Sequence, residues 1–345
     1  MTGKIKATGV LDENDILPSE GKLENELKNE TQHKYVIVWR NIILMSLLHV
    51  LAVHGLILCI TRQLWFKVLT GITAGAHRLW CHRAYKAKLP LRILLMIFNT
   101  MAFQDCVIHW ARDHRVHHKY FDTNADPHNS TRGFFFSHVG WLLTRKHPEV
   151  HAAGKKLDIS DLESDPVLRF QRDYYGYLMP FFCFALPTIM PAFLFGETFK
   201  NAFLAVCLRY VFGLHVTWSI NSLGHSVGYK PYDKYNSGVQ NLLIAIFAAG
   251  EGKKLFRNGL LNLFNFIGWH NYHHAFPWDY KTSELGDYRF NISTMFLDFM
   301  AWIGWAYDLR QPTKEMIIKR IERTGDGTIT NSWGFAEKYQ REKSK

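Results

Sequence analysis

Along the chain, long uncharged apolar runs alternate with broad polar segments rich in histidine and aromatic residues. Residues 1–34 are polar, with many Lys, Glu and Asn, and lack the basic, apolar, small order of a cleaved leader, so they are expected to form a flexible tail. After Trp39-Arg40-Asn41, residues 42–60 contain no formally charged side chain. At ~1.5 Å of rise per residue that run just crosses a ~30 Å hydrocarbon layer, which predicts a first membrane span. Residues 64–76 resume the apolar character, interrupted by Lys67, and are too few for a comfortable crossing, so a second span looks truncated. Residues 77–175 are mixed and basic, and within them 89–103, with Arg92 as its charge, predicts an interfacial or core helix. A third span is expected at 176–196, where Pro180, Pro187 and Pro191 are tolerable if neighbours satisfy the freed backbone groups. A fourth is expected at 202–223, whose Arg209 should face protein or snorkel. From residue 224 the chain is polar and aromatic, and its end reads as a helical tail.

Basic residues set the orientation. On a four-span reading the two short loops of one side hold only Arg62 and Lys200, so the tails and the 77–175 segment should be cytosolic. The glycosylation triplets at Asn29, Asn129 and Asn291 fall on that side and should carry no glycan. Charged residues make up 21% of the 345, too few for a disordered chain, while a large aqueous part accompanies the spans. Cys59, Cys81, Cys106, Cys183 and Cys207 show no paired spacing, which argues against a disulfide framework or a thiolate zinc site. The net charge of +11 is spread without a dense basic run; it suits an anionic small ligand, an acidic partner or a lipid surface, and no nucleic acid is expected. The expected fold class is an all-α membrane protein: four transmembrane helices with a cytosolic helical cap.

The chemistry lies in the histidines. His77 and His82 bracket Arg-Leu-Trp-Cys; His114, His117 and His118 form H-x-x-H-H; His270, His273 and His274 repeat that pattern; His225 ends Asn221-Ser-Leu-Gly-His225. On a helix, positions i, i+3 and i+4 share a face, so each H-x-x-H-H is expected to aim three imidazoles at one point. The i, i+5 pair is looser, its rings ~140° apart on a regular helix, and needs a helix end, a distortion or two different ions. Nine histidines exceed what one tetrahedral zinc uses, and no carboxylate lies within the boxes, so a histidine-ligated dimetal site is expected in the cap. An even number of crossings between His118 and His270 returns all boxes to one bilayer face. Imidazole-rich ligation leaves a metal pair strongly positive, apt for O2-derived oxidation of an unactivated carbon, and beside a membrane the substrate would be an acyl chain. His49, His54, His138, His147, His151 and His215 lack box spacing and are expected to be structural or exposed, as is His128. Cys81 reads as a small buried thiol, and 134–136 as a packing or interfacial element.

His-Arg-Leu-Trp-Cys-His at 77–82, Trp-Ala-Arg-Asp-His-Arg-Val-His-His at 110–118, Asp-Pro-His-Asn at 126–129, Gly-Phe-Phe-Phe-Ser-His-Val-Gly-Trp at 133–141, Asn-Ser-Leu-Gly-His at 221–225 and His-Asn-Tyr-His-His-Ala-Phe-Pro at 270–277 resemble the animal acyl-CoA desaturases of the stearoyl-CoA type, over about 35–312. The resemblance implies an endoplasmic reticulum membrane protein with four spans, both termini cytosolic, tails at 1–34 and 313–345, and a desaturase domain between them. It implies two iron ions held by His77, His82, His114, His117, His118, His225, His270, His273 and His274, with Asn221 acting through a water. It further implies acyl-CoA headgroup contacts at Arg40, Asn41, Arg112, Asp113 and Lys146, and an acyl tunnel shaped by Gln104, Trp110, Thr217 and Trp218. Arg112 and Lys146 read equally as solvated or paired cations. The implied reaction is O2-dependent desaturation of a saturated fatty acyl-CoA. Its electrons would come from cytochrome b5 and its NADH-dependent reductase, because the chain carries no haem or flavin motif; a basic cytosolic surface suits an acidic carrier.

The chain departs from this family in two places. Gly250-Glu251-Gly252 is separated from Trp269-His270 by residues 253–268, whose ends (Lys253 after Gly252, and Phe266-Ile267-Gly268) can be encoded by a splice donor and acceptor, as in a retained intron. The region between Asn41 and His77 is shorter than the family's usual pair of spans. A diiron lipid hydroxylase, or an inactive desaturase relative, is therefore the competing expectation. A metal transporter would need ligands within the spans, whereas these boxes lie outside them.

Overall fold

The computed structural model describes residues 35–62, 71–240, 269–282 and 291–328. The first apolar run forms α1 (Trp39–Arg62), somewhat longer at both ends than the 42–60 predicted. Ile43, Leu47, Val50 and Val53 on α1 are exposed, an outward apolar face suited to lipid. The opposite face lies against α7 (Phe199–Ser222). Gly55 permits this approach, since a Cβ there would sit 2.4 Å from the Leu204 carbonyl oxygen. The third apolar run is one long helical rod. α5 (Pro166–Met179) passes through a π-wound turn at Pro180–Ala185 into α6 (Leu186–Phe195). The rod thus starts ten residues before 176; Pro180 opens the π-wound turn and Pro187 follows it, while Pro191 lies within α6. Gly196 ends α6 at φ +67°, and Thr198 caps α7 by accepting from the Asn201 N–H.

Among the described residues three stretches are long and apolar enough to cross a membrane: Trp39–Leu56, Pro166–Phe195 and Phe199–His225. A fourth is available if α2 (Leu89–Ala102) and α3 (Val107–Tyr120), bent by 80° at their junction, count together. The bend is held from α5: Gln171 accepts from Val107 N at 2.9 Å and donates to Asn99 Oδ1 at 2.8 Å and Thr100 Oγ1 at 2.9 Å. Residues 63–70 of the expected short second span lie outside the described residues. Its remainder belongs to a π-helix, Gly71–Cys81, in which Gly71, Ile72, Ala74, Gly75 and Ala76 are buried. This element packs against α2, so 71–76 face protein.

The core formed by this π-helix, α2 and α3 centres on Ala74, Trp80, Leu91, Leu95, Val107 and Ala111. A two-residue antiparallel ribbon, β1 (Lys86–Ala87) on β2 (Ala306–Tyr307), ties the strand after the first box to the far end of α9 (Ile292–Trp302). α4 (Pro148–Lys156) lies against α3. The short α8 (His270–Ala275) is anchored by Asn271, which accepts from Tyr232 N and Asp233 N and donates to the carbonyls of Asp233 and Gly238. α10 (Lys314–Thr324), within the expected 313–345 tail, buries Ile317 beside Tyr232 and Tyr272 and pairs Arg320 with Asp233 at 2.6 Å.

Candidate metal centre

The π-helix solves the geometry of the first box. Its i→i+5 winding, with His82 N donating to the His77 carbonyl at 3.0 Å, stacks the two residues that an α-helix would splay. Their ring centroids are 4.7 Å apart, so the distortion serves one ion rather than two. A helix wound this way needs its end held. Arg115 from α3 donates to the carbonyls of Trp80 (2.7 Å) and Cys81 (3.1 Å), and is paired with Asp161 at 2.7 Å. Arg83 also reaches Asp161, at 2.8 Å.

Among the described residues the box histidines form two metal-competent groups. His77, His82, His114, His118 and His273 bring their ring nitrogens together in one; His117, His225, His270 and His274 do so in the other. Each H-x-x-H-H is therefore divided, contrary to the expectation of three imidazoles at one point. His114 and His118, at i and i+4, share a face with Nε2 atoms 3.2 Å apart, while His117, at i+3, turns to the second group. On α8 the assignment is reversed: His270 and His274 serve the second group with Nε2 atoms 3.1 Å apart, and His273 serves the first. The physical reason is the 100° step: i+4 returns to within ~40° of i on one side, i+3 to ~60° on the other, and two ions take one side each.

The donor set fits cations. His273 Nε2 lies 3.0 Å from both His77 Nε2 and His118 Nε2, and His270 Nε2 lies 2.8 Å from His225 Nε2. One ring nitrogen is either a donor or an acceptor, so converging Nε2 atoms are best satisfied as lone pairs around a positive ion. His82 Nε2 is buried with no hydrogen-bond partner while its ring is 4.5 Å from that of His118. Burial, followed by mutual repulsion, holds His114, His118, His225 and His274 well below the usual histidine pKa; burial lowers His82 and His270 to about 3. Neutral imidazoles are the ligating form.

His117 departs from this pattern. Burial works against its charge, but the Asp126 carboxylate outweighs burial and raises its pKa. Asp126 accepts from His117 Nδ1 at 2.9 Å, which leaves Nε2 as the lone-pair nitrogen, and Ser237 Oγ contacts His225 Nδ1 at 2.8 Å in the same way. Asp126 also accepts from the N–H groups of Asp122 and His128. Sequence reasoning quoted Asp126 within Asp-Pro-His-Asn without giving it a role; a carboxylate a short loop beyond a histidine box is the signal that could have found it. Ser237 carries no such signal. Asn221 stands in the last turn of α7, four residues before His225, and is half-buried.

The other sequence-derived positions fall into two sets. Arg112 donates to Asp113 at 2.8 Å, and Lys146 pairs with the same carboxylate, so these three form one charged cluster. Asn41 donates to the Leu142 carbonyl at 2.7 Å, and its neighbour Arg40 is exposed; the strand-like pairing of Ile37 with Thr144 places both near the chain that carries Lys146. Further in, Gln104 donates to Thr217 Oγ1 at 2.9 Å, Trp218 is buried, and Trp110 stacks on His114 with centroids 4.8 Å apart.

A helical chain with apolar, membrane-length rods and two buried imidazole clusters has the build of a membrane protein with a metal-competent centre. A fatty acid desaturase family model matches residues 48–298. The chain is 49% identical over 352 residues to the Acyl-CoA Delta-9 desaturase of Acheta domesticus, covering 96% of this chain and 92% of that one. It is 49% identical over 318 residues to the Acyl-CoA Delta(11) desaturase of Trichoplusia ni, covering 89% and 86%. With the stearoyl-CoA desaturase of Homo sapiens it shares 52% identity over 304 residues, covering 85% and 80%. The chain belongs to the fatty acid desaturase family, as a multi-pass membrane oxidoreductase of the acyl-CoA desaturase type.

Proposed function

We propose that this protein desaturates a saturated fatty acyl-CoA with O2, using two iron ions, with electrons delivered by cytochrome b5 from its NADH-dependent reductase. The observation that carries the reading is the division of nine histidines into groups of five and four. The group of four is one donor short of its partner, and Asn221 supplies the remaining contact through a water. Bound iron would supply the reduction of O2 and the oxidising power to take hydrogen from an unactivated C–H bond. The protein's own residues do the rest. All-imidazole donors leave the ions' positive charge uncompensated, with Asp126 kept one bond away behind His117. The Arg112, Asp113 and Lys146 cluster, with Arg40 and Asn41, receives the anionic headgroup. Gln104 and Thr217, bonded to each other, and Trp218 and Trp110 set the bend at which the acyl chain meets the centre. The charged cap faces the cytosol, with both termini on that side, and the chain crosses the endoplasmic reticulum membrane four times, at 42–60, 64–76, 176–196 and 202–223. The desaturase domain is 35–312, with tails at 1–34 and 313–345.

The insertion at 253–268 and the short stretch before His77 favour one second reading, an inactive relative. Residues 241–268 lie outside the described residues, so this rests on the sequence. Expression in a desaturase-deficient yeast, with the chain as given and with residues 253–268 removed, separates the readings when double bonds are located in the lipids. Alkene without inserted oxygen is expected. Hydroxylated lipid supports a hydroxylase, activity confined to the trimmed chain supports a retained intron, and no product from either supports an inactive relative.

A further inference from the structure

Two half-buried histidines of the membrane-length helices belong to neither metal group. His49 of α1 and His215 of α7 have Nε2 atoms 3.0 Å apart. His215 Nδ1 continues to His138 Nε2 at 3.0 Å, and His138 Nδ1 to Ser222 Oγ at 2.9 Å. At the other end His49 Nδ1 meets the Met45 carbonyl at 2.7 Å. The rings' other neighbours are aromatic: Phe134 stacks on His138, and Trp218 stands edge-on to His138 and His215. Ionisable groups in membrane-length helices are expensive, and two of them joined to a third outside those helices call for a use.

The hydrogens can be placed. A carbonyl only accepts, so His49 carries its hydrogen on Nδ1 and offers Nε2 as acceptor. His215 must then donate from Nε2 and accept at Nδ1, and His138 must donate from Nε2 and accept at Nδ1 from Ser222. The neutral string has one polarity, fixed by Met45. One further proton fits: added at His138 Nδ1, it moves each Nε2 hydrogen one ring along until His49 holds two. It can go no further, because the Met45 carbonyl takes none. Ser222 Oγ accommodates both states. Its hydrogen points to His138 when the string is neutral and to the Trp218 carbonyl, 3.0 Å away, when His138 Nδ1 is itself a donor. The string is thus closed at its membrane end and open at Ser222, which follows Asn221 and stands three residues before His225.

We propose that His49, His215 and His138 form a one-proton store that serves the reaction through the Ser222 end. The inference rests on the desaturase reading above. The overall reaction is R–CH2–CH2–R′ + O2 + 2 e⁻ + 2 H⁺ → R–CH=CH–R′ + 2 H2O. Two C–H bonds and the O–O bond break, a second C–C bond and four O–H bonds form, the acyl chain and the one-electron carrier are oxidised, and O2 is reduced. Two of the four water hydrogens come from outside the substrate, and the box imidazoles, with their Nε2 atoms converged, are poorly placed to deliver them. The store supplies one and is refilled between turnovers.

The test uses the iron-loaded full chain in lipid nanodiscs, reduced and given acyl-CoA and O2. His215→Asn should retain two irons and the same double-bond position, yet slow single-turnover alkene formation by ~100-fold, raise the solvent deuterium isotope effect and release more peroxide per electron pair. In His215→Ala, added imidazole should restore the rate and 1-methylimidazole, which cannot relay, should not. Wild-type rate, isotope effect and coupling in His215→Asn overturn the proposal, as does a rate loss accompanied by iron loss or a moved double bond without imidazole rescue, which marks a packing role. If even the unmodified protein forms no alkene, the desaturase reading fails separately. ¹⁵N spectra of histidine-labelled protein still decide the store: Nδ1–H at His49 with Nε2–H at His215 and His138 in the empty string, or one of the three rings holding two hydrogens in the filled one, supports it, and any other set overturns it.

Discussion

Replacing Asp126 with asparagine keeps the shape of the side chain and removes its charge. In the native protein both carboxylate oxygens face His117 Nδ1, at 2.9 and 3.0 Å, and they also accept from Asp122 N at 3.0 Å and His128 N at 2.9 Å. Every group around the carboxylate is a donor, so the amide nitrogen introduced by Asp126→Asn would face at least one N–H head-on. His117 would lose the partner that fixes its tautomer and raises its basicity. Carboxylates behind metal-bound histidines typically change affinity 10- to 100-fold, or ~1.4 to 2.8 kcal/mol at ~1.4 kcal/mol per decade. Because His117 contributes to the group with His225, His270 and His274, only that ion should weaken. The assay is the iron-to-protein ratio against graded chelator. The wild type should release its ions with close midpoints, and Asp126→Asn should become biphasic, one midpoint moved by one to two decades and the other unmoved. An unchanged curve, or equal loss of both ions in a protein whose helix content is intact, would refute the assignment of His117 and its carboxylate to one ion.

The split of the boxes makes a sharper comparison between neighbours. His273→Ala should weaken the ion held with His77 and His118, and His274→Ala the other, measurable by distinct Mössbauer signals of ⁵⁷Fe-loaded protein. Gly238→Ala, whose Cβ would stand 2.7 Å from His274 Cδ2 and 3.0 Å from the His270 carbonyl, should lower occupancy of the second site while sparing the first. Gly55→Ala should lower the thermal midpoint, with ~1–3 kcal/mol lost to the clash with the Leu204 carbonyl. For Asp161, burial pushes the carboxyl pKa up, but hydrogen bonds from Arg115 and Arg83 win and bring it to about 2. Its folded pKa lies below the unfolded value of ~3.9. Its contribution is therefore fully present above pH ~4 and disappears as pH falls toward 2. The stability gap between wild type and Asp161→Asn should close over that window in acid unfolding followed by circular dichroism.

Much of the fold was legible because lipid is a uniform solvent. An apolar run of membrane length has few alternatives, and 42–60, 176–196 and 202–223 fall within long helices to within a residue at their ends. The setting of residues 71–76 was not legible, since apolarity alone does not distinguish a lipid-facing wall from a face packed on protein; Leu95 and Trp80 stand around Gly75, and they come from elsewhere in the chain or fold back onto it. The boxes were legible as metal ligands by residue type. Their division was not, because i+3 and i+4 look equivalent until two ions compete for the faces of one helix. Likewise the π-winding that joins His77 to His82 depends on Arg115 and Asp161, whose partnership with the helix end is written nowhere near it. His49, His138 and His215, dull in sequence, gain significance only when three distant segments meet.

The exchange of His117 and His273 between the two groups bears on biosynthesis. Neither ion's coordination sphere can be closed by the first 240 residues: one waits for His273, the other for His270 and His274. A ribosome-bound or truncated chain would offer incomplete sets of imidazoles to both metals, and iron would be retained only after the last box has threaded back among the earlier helices. On the diiron reading proposed above, metal capture would double as a proofreading step for chain completion.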